Sequence, residues 1–373
     1  MRHAIALALG TALAATLALT GAEAAPGTPA AGAADSSVPP PGWKTPRNAW
    51  GQPDLSGNWT NASMTPFTRN KRLSSKATLT KEEAQALEAA WTQALANANK
   101  PTDPSAKDED FQKDPAYKKL LEFRPDFGAA GGDVGGYNVF WIDPGTHILE
   151  INGEYRTSIL TTPDGQIPPR KAGAPPARGF GQWRDDYTSY ETRSLGERCI
   201  MGFGRNAGPP MLSNGYYNNG YKIIQTPDSV LIEVELIHDA RIVRLNSKHR
   251  TDGVRPWMGD SIGWYDGDTL VVETTNIPEE QDFFGSWKNL KVTEWFTRLS
   301  PTRILYKFQV EDPDTWDKPW GGEYTFAPYG PIYEYACHEG NYALPGILAG
   351  ARAAEKEAAA KAAPAAEKAK PGA

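Results

Sequence analysis

The sequence predicts a mainly β protein, an antiparallel up-and-down barrel with a helical insertion and long loops. Residues 221–311 form a series of short segments in which apolar and polar residues alternate, with turns between them. Such alternation is typical of strands that bury one face. No long helical pattern separates these segments, which argues against a parallel sheet. A closed barrel would also leave no strand edge exposed.

Two turns define the hairpins of this stretch. Asp266-Gly267 is a signal for a two-residue hairpin loop. Ser300-Pro301-Thr302 turns the next hairpin, after which Ile304 and Tyr306 begin an apolar face that alternates with a polar one. About ten strands are expected in all, including two in residues 322–338.

The N-terminus predicts export. Residues 1–24 combine a short basic start, an apolar run at 4–20 and small residues at Ala22 and Ala24, which is the pattern of a cleaved signal peptide. The alternative is a membrane anchor, but a cleavage site follows the run. The mature protein is therefore expected to be periplasmic or secreted, with no stable membrane span. Residues 25–46 are rich in Ala, Pro and Gly and are expected to be a flexible leader.

A single barrel domain is expected over residues 47–352. Thr80 and Glu83 form a capping box, which predicts a helical insertion near 80–97. Residues 166–193 are predicted to be a long surface loop and a candidate lid. Residues 353–373 are rich in Ala, Lys and Glu and are predicted to be a disordered tail without a function.

Charge and motifs limit the partners. The formal net charge is −6 and no basic stripe is present, so nucleic acid is not expected to bind. The Gly-rich segment 131–145 lacks the spacing of a phosphate-binding loop, and no cofactor is predicted. The expected partner is a small molecule, and the sequence sets no oligomeric state. The 12 Trp, 15 Tyr and 12 Phe residues suit both sheets and stacking on flat or sugar-like ligands.

The chain has two cysteines, Cys199 and Cys337. In an exported protein an even number favours a disulfide, and the alternative is two separate buried thiols. Near the start, Gly57-Asn58-Trp59 resembles the opening of lipocalin-like barrels, in which this Trp closes the barrel floor.

Several further motifs resemble a large family of exported bacterial proteins, a resemblance that implies no activity. The motifs cover most of residues 50–352. They lie at 53–59 (Pro-Asp-Leu-Ser-Gly-Asn-Trp), 136–141 (Gly-Tyr-Asn-Val-Phe-Trp), 197–199 (Glu-Arg-Cys), 237–241 (Ile-His-Asp-Ala-Arg), 257–261 (Trp-Met-Gly-Asp-Ser), 267–276 (Gly-Asp-Thr-Leu-Val-Val-Glu-Thr-Thr-Asn) and 335–342 (Tyr-Ala-Cys-His-Glu-Gly-Asn-Tyr). Ile262 stands where that family has Arg.

The candidate catalytic residues are His238, Asp239, Glu294 and His338. His238 continues an apolar strand face, so it is expected to look inward as a general base or acid with Asp239 as its orienter. Glu294 shares the parity of an apolar face, where an unpaired carboxylate is costly. The alternative for Glu294 is a buried pair with Arg241. His338 follows Cys337, and a disulfide there would hold it rigidly.

The candidate substrate-binding residues are Arg241, Glu273, Asn276 and Trp257. No metal site is predicted because no close His pair exists. A site assembled from His238, His249, His338 and a carboxylate is the alternative, although His249 is expected to lie on the surface.

Two functions are therefore expected. The first is an acid–base enzyme, a hydrolase, lyase or isomerase acting on an aromatic or glycosidic compound in a barrel pocket. The second is a non-catalytic periplasmic binding protein that uses the same pocket.

Overall fold

The structure is a computed structural model that describes residues 37–73, 75–98, 115–124, 143, 145–176, 187–202, 206, 208–212 and 218–368. All of these residues belong to one compact unit, Ala33–Ala373. The predicted signal peptide and most of the Gly-rich segment lie outside the described residues. Within the described part, no helix combines the length and the apolar character needed to cross a membrane.

Most of the described regular structure is β. The strands are β1 (Gly57–Thr60), β2 (Thr78–Leu79), β3 (Glu150–Ile151), β4 (Glu154–Arg156), β5 (Gly220–Gln225), β6 (Ser229–Val234), β7 (Ala240–Leu245), β8 (Asp260–Asp266), β9 (Thr269–Thr275), β10 (Lys291–Ser300), β11 (Arg303–Glu311) and β12 (Trp320–Pro328). The helices are α1 (Lys81–Ala98), α2 (Pro115–Phe123) and α3 (Ala343–Lys368).

Nine strands close into a barrel in the order β1-β12-β11-β10-β9-β8-β7-β6-β5, with β5 pairing back onto β1. This confirms the predicted mainly β barrel with a helical insertion. The β7–β8 pair is parallel, with Val243 opposite Ser261, whereas the sequence predicted an antiparallel barrel throughout. The reason is geometric: an odd number of strands cannot alternate in direction around a closed ring. Residues 246–259 therefore return along the barrel before β8 begins.

The two ends of the barrel differ. One end, called here the short-turn end, carries the links 226–228, 267–268 and 301–302. The opposite end, called the long-loop end, carries the links 61–219, 235–239, 276–290 and 312–319. Long links are where functional sites concentrate on a rigid scaffold.

Trp59 is buried in the barrel core. Its Nε1–H donates to Leu55 O at 3.0 Å, and the Arg298 guanidinium lies over its ring at 5.5 Å. Arg298 is on β10 just before the 301–302 turn and also donates to Asp54 O at 2.8 Å. Trp59 thus packs toward the short-turn end, as the floor position predicts.

The helical insertion has a small core of its own, formed by Met64, Ala84, Trp91, Phe123 and Ile148. The capping box has the predicted bonds. Thr80 N donates to Glu83 Oε2 at 2.9 Å, and Glu83 N donates to Thr80 Oγ1 at 3.2 Å. Because both free amides are satisfied, α1 begins where the sequence predicts.

Three segments differ from the sequence predictions. The tail is helical to Lys368 rather than disordered from 353, since Ala, Glu and Lys are strong helix formers. Ser37 of the predicted flexible leader is buried and accepts a hydrogen bond from Asn152 N at 2.6 Å. Of the two strands expected in 322–338 only β12 forms, because Pro328 and Pro331 lack the N–H that a ladder requires.

Candidate functional site

A buried ion pair crosses the interior of the barrel. Arg241 on β7 and Glu294 on β10 are 2% and 0% exposed. Arg241 Nη1 donates to Glu294 Oε2 at 2.5 Å and Nη2 donates to Oε1 at 3.0 Å. Burial acts to lower the pKa of Arg241, but the Glu294 carboxylate raises it above its ordinary value. The pair is therefore joined by two hydrogen bonds in the bidentate geometry that suits Arg and a carboxylate.

Tyr306 connects this pair to the link between β4 and β5. Its hydroxyl donates to Glu294 Oε1 at 2.8 Å and accepts from Met211 N at 2.8 Å. Burial, together with the nearby Glu294 charge, raises the pKa of Tyr306 well above its ordinary value. The phenol therefore stays protonated and keeps its role as a donor to the carboxylate.

Met211 belongs to the link between β4 and β5, and it occupies the barrel interior with no exposed surface. Its carbonyl oxygen accepts a hydrogen bond from the Tyr324 hydroxyl. The two Tyr hydroxyls thus bind the backbone N–H and C=O of one residue. Segment 208–212, called here the inserted segment, thus places a backbone donor and a backbone acceptor against the two Tyr hydroxyls.

Asn61 completes the network from the end of β1. Its Nδ2 donates to the hydroxyls of Tyr324 at 3.0 Å and Tyr221 at 3.2 Å. Two buried atoms here, Asn61 Oδ1 and Arg241 Nε, have no hydrogen-bond partner among the described residues. Buried polar atoms are normally satisfied, and these two are among the exceptions in the described residues. We call Asn61, Arg241, Glu294, Tyr306 and Tyr324 the interior polar site.

His238 lies elsewhere. Strand β6 ends at Val234, and Leu236–His238 forms a 3-10 turn in which His238 has a φ of +48° and an exposed side chain. The predicted inward orientation of His238 is therefore wrong. The alternation of the strand breaks at this turn, so parity counted from β6 no longer applies.

Asp239 does not orient His238 by any described hydrogen bond. It is buried, and its Oδ2 accepts from Gly202 N at 2.8 Å. Burial raises the pKa of Asp239 to about 7, and the hydrogen bond from Gly202 offsets only part of that effect. Through this hydrogen bond the Asp239 carboxyl group connects residue 202 to the 235–239 link.

The raised pKa makes stability depend on pH. Unfolded Asp titrates near pH 4. Between about pH 4 and pH 7 the unfolded chain loses this proton while folded Asp239 keeps it. The contribution of Asp239 to the free energy of unfolding is therefore present below pH 4 and falls by up to a few kcal/mol as the pH rises to 7.

Urea unfolding of wild type and Asp239→Asn from pH 4 to pH 8 measures this contribution, because the other carboxyl groups cancel in the difference. We expect wild type to lose stability relative to the variant across that window, with no further change above pH 7. Parallel stability profiles would contradict the prediction.

His338 is exposed, in the segment 329–342 that follows β12. The predicted Cys199–Cys337 disulfide is confirmed, with a Cα–Cα distance of 5.7 Å. It holds this segment against residues 187–202, where Asn341 Nδ2 also donates to Glu197 O at 2.7 Å. His338 thus lies beside a fixed junction but at the surface, whereas Glu294 is fully buried in the barrel.

His249, which was expected on the surface, lies between two carboxylates and contacts both. Its Nδ1 lies 3.0 Å from Asp260 Oδ2 and its Nε2 lies 3.2 Å from Glu273 Oε1. Asp260 also accepts from Arg244 Nη2 at 2.7 Å and from Arg250 N at 2.8 Å. Because both ring nitrogens are engaged, this cluster fixes the 246–259 link to the outer face of the barrel.

The remaining predicted binding residues also belong to this outer region. Glu273 faces outward, opposite Ile262 and Thr293. Asn276 Nδ2 donates to Arg250 O at 3.3 Å, and Trp257 is 42% exposed in the 246–259 link. Of the predicted site residues, the interior holds Arg241 and Glu294 together. Among described residues, no group of three or more His, Cys, Asp or Glu side chains is arranged to hold a metal ion.

Sequence reasoning missed the hydroxyl groups of the interior. Tyr306 shares the parity of Ile304 and Phe308 on β11, so a hydroxyl on the inward face was detectable. Met211 and Asn61 carried no signal, because their segments show no periodicity. Their positions follow only from how the links fold over the barrel.

Fold and site define a mainly β, disulfide-bonded protein with a closed barrel and a polar interior. No protein-family model matches the chain, and a search of curated proteins finds no match either.

Proposed function

We propose that the protein is an exported small-molecule-binding protein whose ligand binds in the barrel interior, at the interior polar site. The observation that carries this proposal is the binding of the Met211 N–H and C=O by Tyr306 and Tyr324. The signal-peptide pattern and the disulfide support a periplasmic or secreted location.

Energetics support a role beyond folding. Replacing a buried ion pair by well-packed apolar side chains is often neutral or stabilising. A barrel built only for stability would therefore not need the buried pair of Arg241 and Glu294. Barrels of about eight strands are just wide enough to fill their interior or to hold one small ligand, and this one has nine.

The chemistry of the inserted segment indicates the ligand class. The two Tyr hydroxyls together accept from an N–H and donate to a C=O, which matches an amide-like group. The charge of Arg241 is already balanced by Glu294, so an ionic ligand would find no free counter-charge. We therefore expect a compact neutral ligand with an amide-like donor and acceptor and an apolar arm in place of the Met211 side chain.

The ligand can enter the barrel interior only when the inserted segment leaves it. The apparent affinity is then the intrinsic affinity reduced by the fraction of molecules with the interior open. Shortening Met211 weakens the apolar packing of the inserted segment, so Met211→Ala is expected to bind the ligand more tightly than wild type.

The test uses calorimetric titration with a panel of compact neutral amides, including N-acetylmethionine N-methylamide as a mimic of the inserted segment. We expect saturable binding by wild type. Each lost hydrogen bond is worth about 1 kcal/mol, and the double variant Tyr306→Phe with Tyr324→Phe loses the same two bonds to the ligand and to the inserted segment. Its apparent affinity should therefore stay close to that of wild type, and the tighter binding by Met211→Ala is the result that decides the proposal.

Tyr265→Phe is the matched control, because its hydroxyl contacts Gln225 near the short-turn end and not the inserted segment. It should bind like wild type. Absence of binding by every amide, or binding by Met211→Ala no tighter than that by wild type, would overturn the proposal.

The acid–base enzyme is the second candidate, and one observation favours it. A carboxyl group with a pKa of about 7, such as Asp239, can exchange a proton at neutral pH. A screen of aromatic and glycosidic compounds with wild type, Asp239→Asn, His238→Ala and Glu294→Gln tests it. Turnover that is unchanged in all three variants would rule out this mechanism.

A further inference from the structure

The outer face of the barrel carries a groove that the interior site does not use. Its volume is about 570 Å³, and it runs over β10, β11 and β12 beside the segment that includes Thr161. Pockets for small ligands typically measure about 300–1,000 Å³, so the groove is large enough for one. It lies on the opposite side of the sheet from the interior polar site.

Strand register explains which side chains meet there. Trp264, Val271, Trp295, Lys307 and Glu323 lie opposite one another in a single row across β8 to β12. Side chains in one row of a sheet share a face. This row faces outward, because its neighbours along each strand, such as Val272 and Phe308, are in the core.

Two indole rings form the apolar part of this face. Trp264 is 39% exposed and Trp295 is half-buried, while Val271 between them is only 5% exposed. The two Trp residues are two strands apart, about 10 Å, and together they shield Val271 from solvent. Trp295 lines the groove, and Trp264 continues the apolar surface beyond it.

Polar side chains surround Trp295. The hydroxyls of Thr269 and Thr297 lie 2.7 Å apart, and Gln309 and Lys307 line the groove beside them. These side chains offer hydrogen-bond donors and acceptors around a flat aromatic surface.

The charges at the groove balance one another. Lys307 Nζ lies 3.5 Å from Glu323 Oε2, and Arg156 Nη2 lies 3.2 Å from Glu323 Oε1. Arg156 also pairs with Glu154 at 3.4 Å. Of these four charged residues, Lys307 and Glu323 line the groove, so one cation is matched by one anion and the groove gives no net attraction to an ionic ligand.

We propose that this groove binds a neutral oligosaccharide. The face of a sugar ring carries C–H groups with slight positive charge, which suit the negative face of an indole. The ring's hydroxyls suit the Thr, Gln, Lys and Glu side chains at the rim. One sugar unit would lie on Trp295, and the next units would extend along the outer face toward Trp264.

The test is titration of the full exported chain, by calorimetry and Trp fluorescence, with neutral tetrasaccharides built from glucose or N-acetylglucosamine at millimolar concentration. We expect saturable binding of at least one. Trp295→Ala should weaken it at least about tenfold, and Trp264→Ala should weaken it by a smaller factor. Trp50→Ala is the matched control, because that exposed Trp lies in a turn that Gln52 joins to Thr226 O at the short-turn end, and it should leave binding unchanged.

Three further measurements give the outcomes that decide the proposal. Lys307→Met removes a rim donor without removing the aromatic surface, so it keeps the test valid if Trp295→Ala fails to fold, and it should weaken binding. The double variant Tyr306→Phe with Tyr324→Phe should bind the sugar like wild type, which separates this site from the interior. Lack of binding by wild type, no loss with Lys307→Met, or tighter and salt-dependent binding of an acidic oligosaccharide would each overturn the proposal.

Discussion

Glu294→Leu is expected to lower the free energy of unfolding by about 3–5 kcal/mol, because it leaves the buried Arg241 charge without a counter-ion. Arg241 is 2% exposed and cannot reach solvent from the barrel interior. The same substitution removes the acceptor of the Tyr306 hydroxyl. Urea unfolding at neutral pH, with circular dichroism as the probe, measures the loss.

The double variant Arg241→Met with Glu294→Leu is the decisive comparison. An apolar pair removes both charges, so the double variant should be more stable than Glu294→Leu by at least about 2 kcal/mol. Losses that simply add would contradict the ion pair as described. If the double variant also fails to bind the amide panel while it remains folded, the polar interior serves binding rather than stability.

Replacing both cysteines by alanine is expected to cost about 2–5 kcal/mol of unfolding free energy. Cys199 and Cys337 are 138 residues apart in sequence. The chain-entropy model gives about 5 kcal/mol for closing a loop of that length. Because the two cysteines are so far apart in sequence, the bridge confines a large part of the unfolded chain. In the folded protein, segment 329–342 forms no strand or helix before α3.

Asn341→Ala is the matched control for this prediction, since Asn341 links the same two segments by a hydrogen bond to Glu197 O. It should cost about 1 kcal/mol. If the double Cys variant loses no more stability than Asn341→Ala, the bridge does not restrict the unfolded chain as expected. Both variants are compared with oxidised wild type by urea unfolding without a reductant.

The periodic parts of the chain predicted the fold well, and the turn at the end of β6 shows where that reasoning fails. Parity on β10 placed Glu294 inward, and a buried pair with Arg241 was the alternative to a catalytic role; both residues are buried and paired. The same method placed His238 inward, but the chain turns at Leu236–His238 and the side chain is exposed. Period-two alternation holds only while the backbone stays extended.

His249 shows the complementary failure. Its neighbours Lys248 and Arg250 indicated a solvated loop, yet the parallel β7–β8 step brings the 246–259 link against β8 and β9. There Asp260 of β8 and Glu273 of β9 hold the imidazole. Nothing local in the sequence encodes that step, since the direction of β8 follows from closing nine strands into a ring.

Local patterns were enough to predict the mainly β class, the hairpins at 267–268 and 301–302, the start of α1 and the pairing of the two cysteines, because each depends on periodicity, turn chemistry or simple counting. Tertiary structure alone decided that Met211 occupies the barrel interior and that Tyr306, Tyr324 and Asn61 surround it. Those contacts join residues more than 90 positions apart, and they form only when the closed barrel brings its strands and the inserted segment together.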